Sequence, residues 1–322
     1  EAVLQELAKI EDALHDVDLD KQLQRFGNPA HFHEFSEKYK DFSYRINDAV
    51  LQAKTAIESP IYVGVVGHYS HGKSSLLNAF LFPPKAKMLL PTGESIVTAM
   101  CTLIQFTSGQ YGNQYIEVQT SNEERIIDLD EYGTLVSGKR TAQLTDVDHF
   151  VLRLSASELA SSLFDTMAHK KIELLDTPGL GGPYWKDEES LRQWIREFSM
   201  LVLCVKADQI NEKTARVVNP FLKQTSKPII PVITFWDQWR TSSDYKRISD
   251  ESDAMKMAKE KLAQHFSSVS EAVEENRVIF TSSSNYVNQV PVPTQSTQTI
   301  SEYWNIDNLR RTVSAYVDAR SN

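Results

Sequence analysis

The chain has 322 residues, of which 41 % are hydrophobic and 24 % are charged, and its formal net charge is -9 at pH 7. This length and composition are typical of one large globular domain with an appendage, and they exclude a small disulfide scaffold. The negative charge argues against general electrostatic binding to nucleic acid, so no nucleic-acid partner is expected. The two cysteines, Cys101 and Cys204, lie in apolar stretches without partners at metal-ligand spacing. They favour a reducing, cytoplasmic setting.

The first segment has the pattern of two helices. Apolar residues recur at spacings of three and four in two stretches, and Gly27-Asn28-Pro29 interrupts the pattern between them. The spacing predicts a helical hairpin over residues 1–58, followed by a larger domain over residues 59–322. The apolar positions are Val3, Leu7, Ile10, Leu14 and Val17 in the first stretch, and Phe35, Tyr39, Phe42, Ile46 and Val50 in the second.

In the larger domain, short apolar stretches alternate with amphipathic ones. Apolar strands that alternate with helices indicate an α/β fold with a mostly parallel sheet, covered by helices on both faces. The segment Asn285–Thr299 is predicted to be a loop. The predicted strands are Ile61–Val66, Thr102–Phe106, Tyr115–Gln119, His149–Leu154, Lys171–Leu175, Met200–Lys206, Ile229–Thr234 and Arg277–Thr281. The predicted helices are Lys73–Phe82, Glu188–Phe198, Glu212–Thr225, Glu251–Phe266 and Asn305–Ala319.

The strongest motif in the chain is a phosphate-binding loop. Gly67-His68-Tyr69-Ser70-His71-Gly72-Lys73-Ser74 fits the Walker A pattern and lies between a predicted strand and a predicted helix. Backbone N–H groups of such a loop, with the positive end of the following helix, bind phosphates, so these residues and Ser75 are expected to do so. Lys73 is expected to reach the β- and γ-phosphates of a nucleotide, and the Ser74 hydroxyl to bind Mg²⁺.

A second motif, Asp176-Thr177-Pro178-Gly179, follows an apolar strand pattern. Asp176 therefore emerges at the carboxyl end of a strand, where parallel sheets bind their ligands, and it can hold Mg²⁺ through water. The backbone N–H of Gly179 is expected to meet the γ-phosphate. The residues that follow are then a loop that responds to the presence of that phosphate.

Three segments together resemble the GTPase domain of the dynamin superfamily, particularly its bacterial members. The resemblance covers roughly residues 59–320. It implies a P-loop GTPase fold and an enzyme that hydrolyses GTP to GDP and phosphate. The segments are the phosphate loop with its continuation Ser75-Leu76-Leu77-Asn78-Ala79-Phe80, the stretch from Leu90-Pro91-Thr92-Gly93 to Val97-Thr98, and Asp176 to Leu180.

The resemblance also implies roles for individual residues. Thr98 matches the threonine that closes over the γ-phosphate and contacts Mg²⁺, and Thr92 is its nearest competitor. Ser70 matches a serine that contacts a monovalent cation, K⁺ or Na⁺, which replaces an arginine finger. Tyr69 departs from the glutamine of eukaryotic dynamins. The expected catalytic residues are Ser70, Lys73, Thr98 and Gly179, and the expected Mg²⁺ ligands are Ser74, Thr98 and Asp176.

Guanine selection normally uses an Asn/Thr-Lys-x-Asp motif after a strand, and two segments compete for this role. Thr234-Phe235-Trp236-Asp237 follows the strand where the motif belongs, although Phe235 stands in place of the lysine. Asp237 is therefore expected to read guanine, with Thr234 and Phe235 beside it. Val205-Lys206-Ala207-Asp208 contains Lys-x-Asp but comes one strand too early, and we interpret it as a chance match. Ser282 and Ser283 resemble the final base-contacting loop.

The favoured function is a GTP-binding, GTP-hydrolysing mechanochemical enzyme whose turnover is coupled to self-association. The resemblance implies a nucleotide-dependent homodimer or a partner dynamin-like protein, and a hairpin at a helical bundle or the root of a stalk. Membrane remodelling is expected only through regions absent from this chain, with a cytoplasmic full-length protein that is peripheral at a membrane. Two alternatives stay open. One is a nucleotide-dependent scaffold or switch with little turnover, and the other is a P-loop ATPase or kinase.

Overall fold

The computed structural model of the chain describes residues 2–15, 29–83, 89–93, 98–107, 115–120, 124–137, 147–155, 167, 170–182, 188–240, 242–243, 248, 250–283 and 305–321. The chain forms two compact units, residues 1–59 and 60–322. The predicted loop Asn285–Thr299 lies outside the described residues. In the part of the chain that is described, no helix is long and apolar enough to cross a membrane.

The first unit contains two helices, α1 (Ala2–His15) and α2 (Pro29–Glu58), which contact each other through an ion pair between Glu11 and Lys54. Proline suits the first position of α2, because its φ matches the helix and its missing N–H would lack an intrahelical partner there. Val3 and Phe42, two members of the predicted apolar stripes, are exposed by 58 % and 56 %. The stripes are thus only partly covered, and the role of the hairpin in a bundle or stalk stays a prediction.

The second unit is built on a nine-stranded sheet in the order β4-β3-β5-β2-β6-β1-β7-β8-β9. Its strands are β1 (Ile61–Gly67), β2 (Thr102–Thr107), β3 (Tyr115–Thr120), β4 (Glu124–Ile127), β5 (Val147–Ser155), β6 (Ile172–Asp176), β7 (Met200–Lys206), β8 (Ile229–Thr234) and β9 (Ile279–Phe280). Its described helices are α3 (Lys73–Leu81), α4 (Leu129–Val136), α5 (Glu188–Glu197), α6 (Glu212–Leu222), α7 (Trp236–Arg240), α8 (Glu251–His265), α9 (Ser270–Glu274) and α10 (Ile306–Ser321).

The sheet is parallel around the phosphate loop and mixed on one side. Parallel pairs join β1 to β6 and β7, β7 to β8, β8 to β9, and β2 to β5. Antiparallel pairs join β2 to β6, and β3 to both β4 and β5. The prediction of a mostly parallel sheet is confirmed. Strand β4 and helix α4 were not predicted, and Glu124–Ile127 is too short to show a strand pattern.

Apolar side chains pack on both faces of the sheet, as predicted. On one face, α3 and α10 contribute Leu76 and Leu309 to a core that includes Val63 of β1. On the other face, α6 and α8 contribute Val218 and Leu262 to a core that includes Leu201, Leu203 and Val205 of β7. Because neighbouring residues of a strand point to opposite faces, the central strands supply side chains to both cores.

Buried polar side chains fix the helix that follows the phosphate loop. The guanidinium of Arg310, on α10, donates to the backbone oxygens of Ala79 and Phe80 at 2.9 Å, where the last carbonyls of α3 have no helical partner. Asn78, on the same helix, donates to the Leu90 carbonyl at 2.8 Å and accepts from the Leu90 N–H at 3.1 Å. These contacts hold α3 between α10 and the segment that leads from Leu90 to Thr92.

Candidate nucleotide-binding site

A cleft of ≈ 470 Å³ opens beside the phosphate loop. This volume lies in the range of about 300–1,000 Å³ that is typical of sites for small ligands. The cleft brings together residues from both predicted motifs, from the segment between them and from the end of β8. It is lined by Tyr69, Ser70, Gly72, Lys73, Ser74, Ser75, Pro91, Thr92, Gly93, Thr98, Gly179, Lys206, Phe235 and Gln238.

The phosphate loop adopts the conformation that its glycines predict. Gly72, the N-cap of α3, has a left-handed backbone with φ of 77°, and α3 begins at Lys73. Helix N-termini of this kind present backbone N–H groups and a positive dipole end to anions. The Asp-Thr-Pro-Gly segment lies directly alongside, because the N–H of Tyr69 donates to the Leu180 carbonyl at 3.1 Å. A Cβ on Gly179 would lie 2.4 Å from the Tyr69 Cα, so this close approach requires glycine.

Lys73 is buried inside the loop. Its side chain donates to the backbone carbonyls of His68 at 3.2 Å and Gly67 at 3.4 Å. Burial lowers the pKa of Lys73, and the nearby charge of Asp176 opposes that shift. The hydrogen bonds of this buried ammonium within the described part of the chain go to neutral carbonyls, and phosphate oxygens are stronger partners for it.

Three hydroxyl and carboxylate groups converge next to Lys73. The Ser74 hydroxyl donates to Oδ2 of Asp176 at 2.6 Å and lies 3.1 Å from the Thr98 hydroxyl. Burial raises the pKa of the Asp176 carboxyl to about 6, while the Ser74 hydrogen bond and the Lys73 charge oppose the rise. Among the described residues, Oδ1 of Asp176 is buried without a hydrogen-bond partner. These hard oxygen donors and the unpartnered Oδ1 fit Mg²⁺.

His71 links the phosphate loop to β7 rather than facing the cleft. Its imidazole is fully buried, with Nε2 2.9 Å from Oε1 of Gln209 and Nδ1 accepting from the Lys206 N–H at 3.3 Å. Burial lowers the pKa of His71 to about 3, so the ring is neutral at neutral pH. The backbone of His71 is therefore the part of this residue that would contact a phosphate, and this contact stays a prediction.

The turn after β8, Thr234 to Asp237, is attached to the phosphate loop at its first two residues. The Thr234 hydroxyl donates to the His71 carbonyl at 2.8 Å. Phe235 has a positive φ of 55°, and its ring packs so closely on Gly72 that a Cβ there would lie 2.9 Å from Cε2. Trp236 anchors the turn in the core, with its ring centroid 4.6 Å from that of Phe280.

Of the residues predicted to contact guanine, Phe235 lines the phosphate cleft. In the described part of the chain, Asp237, Ser282 and Ser283 are not among the residues that line it. Oδ1 of Asp237 and Oγ of Ser282 are nevertheless buried without a hydrogen-bond partner among the described residues. Unpartnered buried oxygens are costly, and a ligand with N–H groups would satisfy them. Their role in reading guanine stays a prediction.

Lys206 is a cleft residue to which the sequence analysis gave no role. It ends β7 and lies beside Thr234 in the register of β7 and β8. Its Nζ is 5.4 Å from the centroid of the Phe235 ring and 3.3 Å from Oδ2 of Asp208. Lys206 could have been placed in the cleft if the order of the strands in the sheet had been inferred, because the ends of neighbouring parallel strands meet at one edge of the sheet.

The second unit has a P-loop GTPase fold. Comparison with known proteins identifies the family. The model of the dynamin family matches residues 63–236, which is more than half of the chain, so the chain belongs to this family. No curated protein matches it significantly.

The solved structures that match include two chains described as an oligomerised bacterial dynamin pair that provides a mechanism for the long-range sensing and tethering of membranes. Both are 14 % identical to this chain, with TM-scores of 0.53 and 0.54, and the alignments cover 99 % of this chain. They cover only 51 % and 52 % of those chains, so this chain spans about half of their length. At this identity the likeness shows the fold.

Proposed function

We propose that this chain binds GTP with Mg²⁺ and hydrolyses it to GDP and phosphate, as the catalytic part of a dynamin-like mechanochemical enzyme. The observation that carries the proposal is the convergence of Lys73, Ser74, Thr98 and Asp176 beside one phosphate-binding loop. These residues come from three separate parts of the sequence. No packing requirement explains a buried carboxylate, a buried ammonium and two hydroxyls at this one point.

The chemistry needs positioning and charge neutralisation more than covalent participation by the protein. Lys73 would turn from the carbonyls of the loop to the β- and γ-phosphate oxygens. Ser74, Thr98 and Asp176 would hold Mg²⁺, which supplies positive charge against the phosphates when bound. The N–H of Gly179 would donate to the γ-phosphate as charge develops there.

We further propose that turnover rises on self-association. None of the described residues that line the cleft is an arginine, so no arginine finger is present within that part of the chain. Ser70, which has a positive φ of 57°, and Tyr69, which is 38 % exposed, line the cleft, and a second molecule that contacts them could complete the site. A monovalent cation, K⁺ or Na⁺, held near Ser70 would take the place of the finger. The membrane tethering described for the structural relatives suggests the process in which the whole protein takes part.

The binding step is tested by calorimetric titration of the chain with GTP and GDP, with Mg²⁺ and then with a chelator. We expect saturable binding that weakens without Mg²⁺. Phosphate release measured at protein concentrations spanning about two orders of magnitude then tests self-association, and the specific activity should rise with concentration. Binding without any turnover at every concentration would favour the nucleotide-dependent switch.

One observation supports ATP as the alternative nucleotide. Phe235 occupies the position of the lysine that normally accompanies guanine recognition, so the site is a P-loop ATPase site in the alternative interpretation. Competition between GTP and ATP separates the two.

A further inference from the structure

We infer that Lys206 is a nucleotide-contacting residue, and that with Phe235 it takes over the part of the lysine missing from the Thr-Phe-Trp-Asp turn. This inference rests on the proposed nucleotide-binding function. It assigns a ligand contact to a residue of the Lys-x-Asp segment that the sequence analysis interpreted as a chance match. The ligand is the nucleoside end of a bound nucleotide, which presents an aromatic face and several oxygen acceptors.

The first step is the position of the Phe235 ring. The lysine of an Asn/Thr-Lys-x-Asp motif packs along the base and supports the phosphate loop. The Phe235 ring lies against Gly72 of that loop and lines the cleft, so the apolar part of this role is filled. A phenyl ring carries no charge, and the cationic part of the role is left to another residue.

The second step is the position of the Lys206 ammonium. Lys206 and Thr234 are register partners on β7 and β8, so Lys206 stands one strand away from Phe235 at the same level of the sheet. Its Nζ lies 5.4 Å from the Phe235 ring centroid, within the distance of about 6 Å at which a cation and an aromatic face attract each other. Lys206 also lines the cleft. The cation of the motif is therefore supplied from the neighbouring strand.

The third step is the way Lys206 is held. Its backbone N–H donates to the buried His71 ring, which ties the end of β7 to the phosphate loop. Its side chain is 25 % exposed and pairs with Asp208, whose side chain is 50 % exposed. Ion pairs this open to solvent are weak, so Lys206 can exchange Asp208 for a ligand at little cost. The backbone is thus fixed while the ammonium stays available.

The experiment measures GDP affinity by calorimetry in four proteins. The parent is compared with Lys206→Met, which keeps the apolar stem, with Lys206→Arg, which keeps the charge, and with Lys223→Met. Lys223 is an exposed lysine at the end of α6, outside the cleft, and its substitution makes the same change in net charge. We expect Lys206→Met to weaken GDP binding by about fivefold to tenfold, with Lys206→Arg and Lys223→Met within about twofold of the parent.

Two further measurements separate a ligand contact from a structural role. Thermal unfolding of the nucleotide-free proteins should be the same for Lys206→Met and the parent, because methionine keeps the apolar stem and an ion pair to the half-exposed Asp208 adds little to the fold. The double variant Lys206→Met, Phe235→Lys should recover affinity, since it returns a cation to its usual place in the motif. If that double variant does not fold, the three single-site variants compared with the parent still decide.

The outcomes distinguish this inference from the function on which it rests. A parent that binds neither GDP nor GTP would overturn the proposed function and the inference with it. A parent that binds, together with a Lys206→Met protein that binds equally well, would overturn the inference alone. Equal losses in Lys206→Met and Lys223→Met would show a general effect of charge and would also overturn it.

Discussion

The hydroxyl of Ser74 donates to Oδ2 of Asp176 at 2.6 Å, although the two residues are 102 positions apart in the sequence. Ser74 is the second residue of α3, the helix after the phosphate loop, and Asp176 ends β6, which pairs directly with β1. The parallel pairing of these two strands brings both motifs to one edge of the sheet. This geometry supports the proposed site for Mg²⁺ and nucleotide phosphates, and the proposal can be tested residue by residue.

The buried Asp176 carboxyl predicts a pH dependence of nucleotide binding. With its pKa raised to about 6, it is protonated in the nucleotide-free protein below that pH. Binding of Mg²⁺ must then displace a proton, so Mg²⁺-dependent affinity should fall by up to about tenfold per pH unit below the pKa. The measurement is calorimetric titration with GDP and Mg²⁺ between about pH 5 and about pH 8.

The matched control for this prediction is Asp176→Asn, because the phosphates of the nucleotide titrate in the same range in both proteins. The affinities of parent and variant should converge toward low pH, where the parent carboxyl is neutral as well. A ratio of affinities that stays constant across the range would contradict the assignment of Asp176 to the metal site.

Replacement of Lys73 by methionine should separate binding from stability. Burial already lowers the pKa of Lys73, so its charge opposes folding of the nucleotide-free chain, and the variant should unfold at the same denaturant concentration or a higher one. Its affinity for GTP should fall by about tenfold or more, because a phosphate-facing charge is lost. Denaturant unfolding and calorimetry check the two halves. Unchanged GTP affinity would show that Lys73 does not face the phosphates.

The two threonines that line the cleft give a matched pair. The Thr98 hydroxyl lies 3.1 Å from that of Ser74, so Thr98→Ala should slow GTP turnover by about tenfold or more while GDP affinity stays within about twofold. Thr92→Ala is the control and should retain most of the activity. Steady-state phosphate release measures both variants. The reverse pattern, slow turnover in Thr92→Ala alone, would mean that Thr92 is the residue that closes on the γ-phosphate.

Asp237 should decide the choice of base. Its buried Oδ1 has no partner among the described residues, and two charge-assisted hydrogen bonds to guanine would satisfy the carboxylate. The parent should prefer GTP over ATP, and Asp237→Asn should lose at least about tenfold of this preference. Competition of GTP and ATP for the binding of a fluorescent GDP measures it. A parent that prefers ATP would favour the ATPase interpretation.

Much of the second unit could be predicted from the sequence, because its central strands and helices have clear patterns. The strands around the phosphate loop, such as Ile61–Gly67 and Met200–Lys206, are continuous apolar runs with turn residues at their ends. Helices such as α3 and α6 begin where predicted and end within three residues of the predicted end. In contrast, β4 has only two apolar residues among its four, so the sequence shows no strand pattern there, although β4 pairs with the preceding strand β3.

The site could be predicted only in part, since sequence motifs report local chemistry and not which strands lie side by side. The phosphate loop and Asp176 were identified from their motifs, and the structure brings them together. Lys206 received no role because its segment follows the wrong strand for a base-reading motif. Its place in the cleft depends on the register of β7 against β8, which single-sequence patterns do not specify.

The most direct test of the account is steady-state phosphate release from GTP in the presence of Mg²⁺, measured for the parent chain and for Lys73→Met prepared in the same way. We expect the parent to release phosphate in a reaction that requires Mg²⁺ and whose rate per molecule rises with protein concentration, and we expect Lys73→Met to release none. Equal release by both proteins, or release that persists with a chelator, would contradict the assignment of the cleft as a GTPase site.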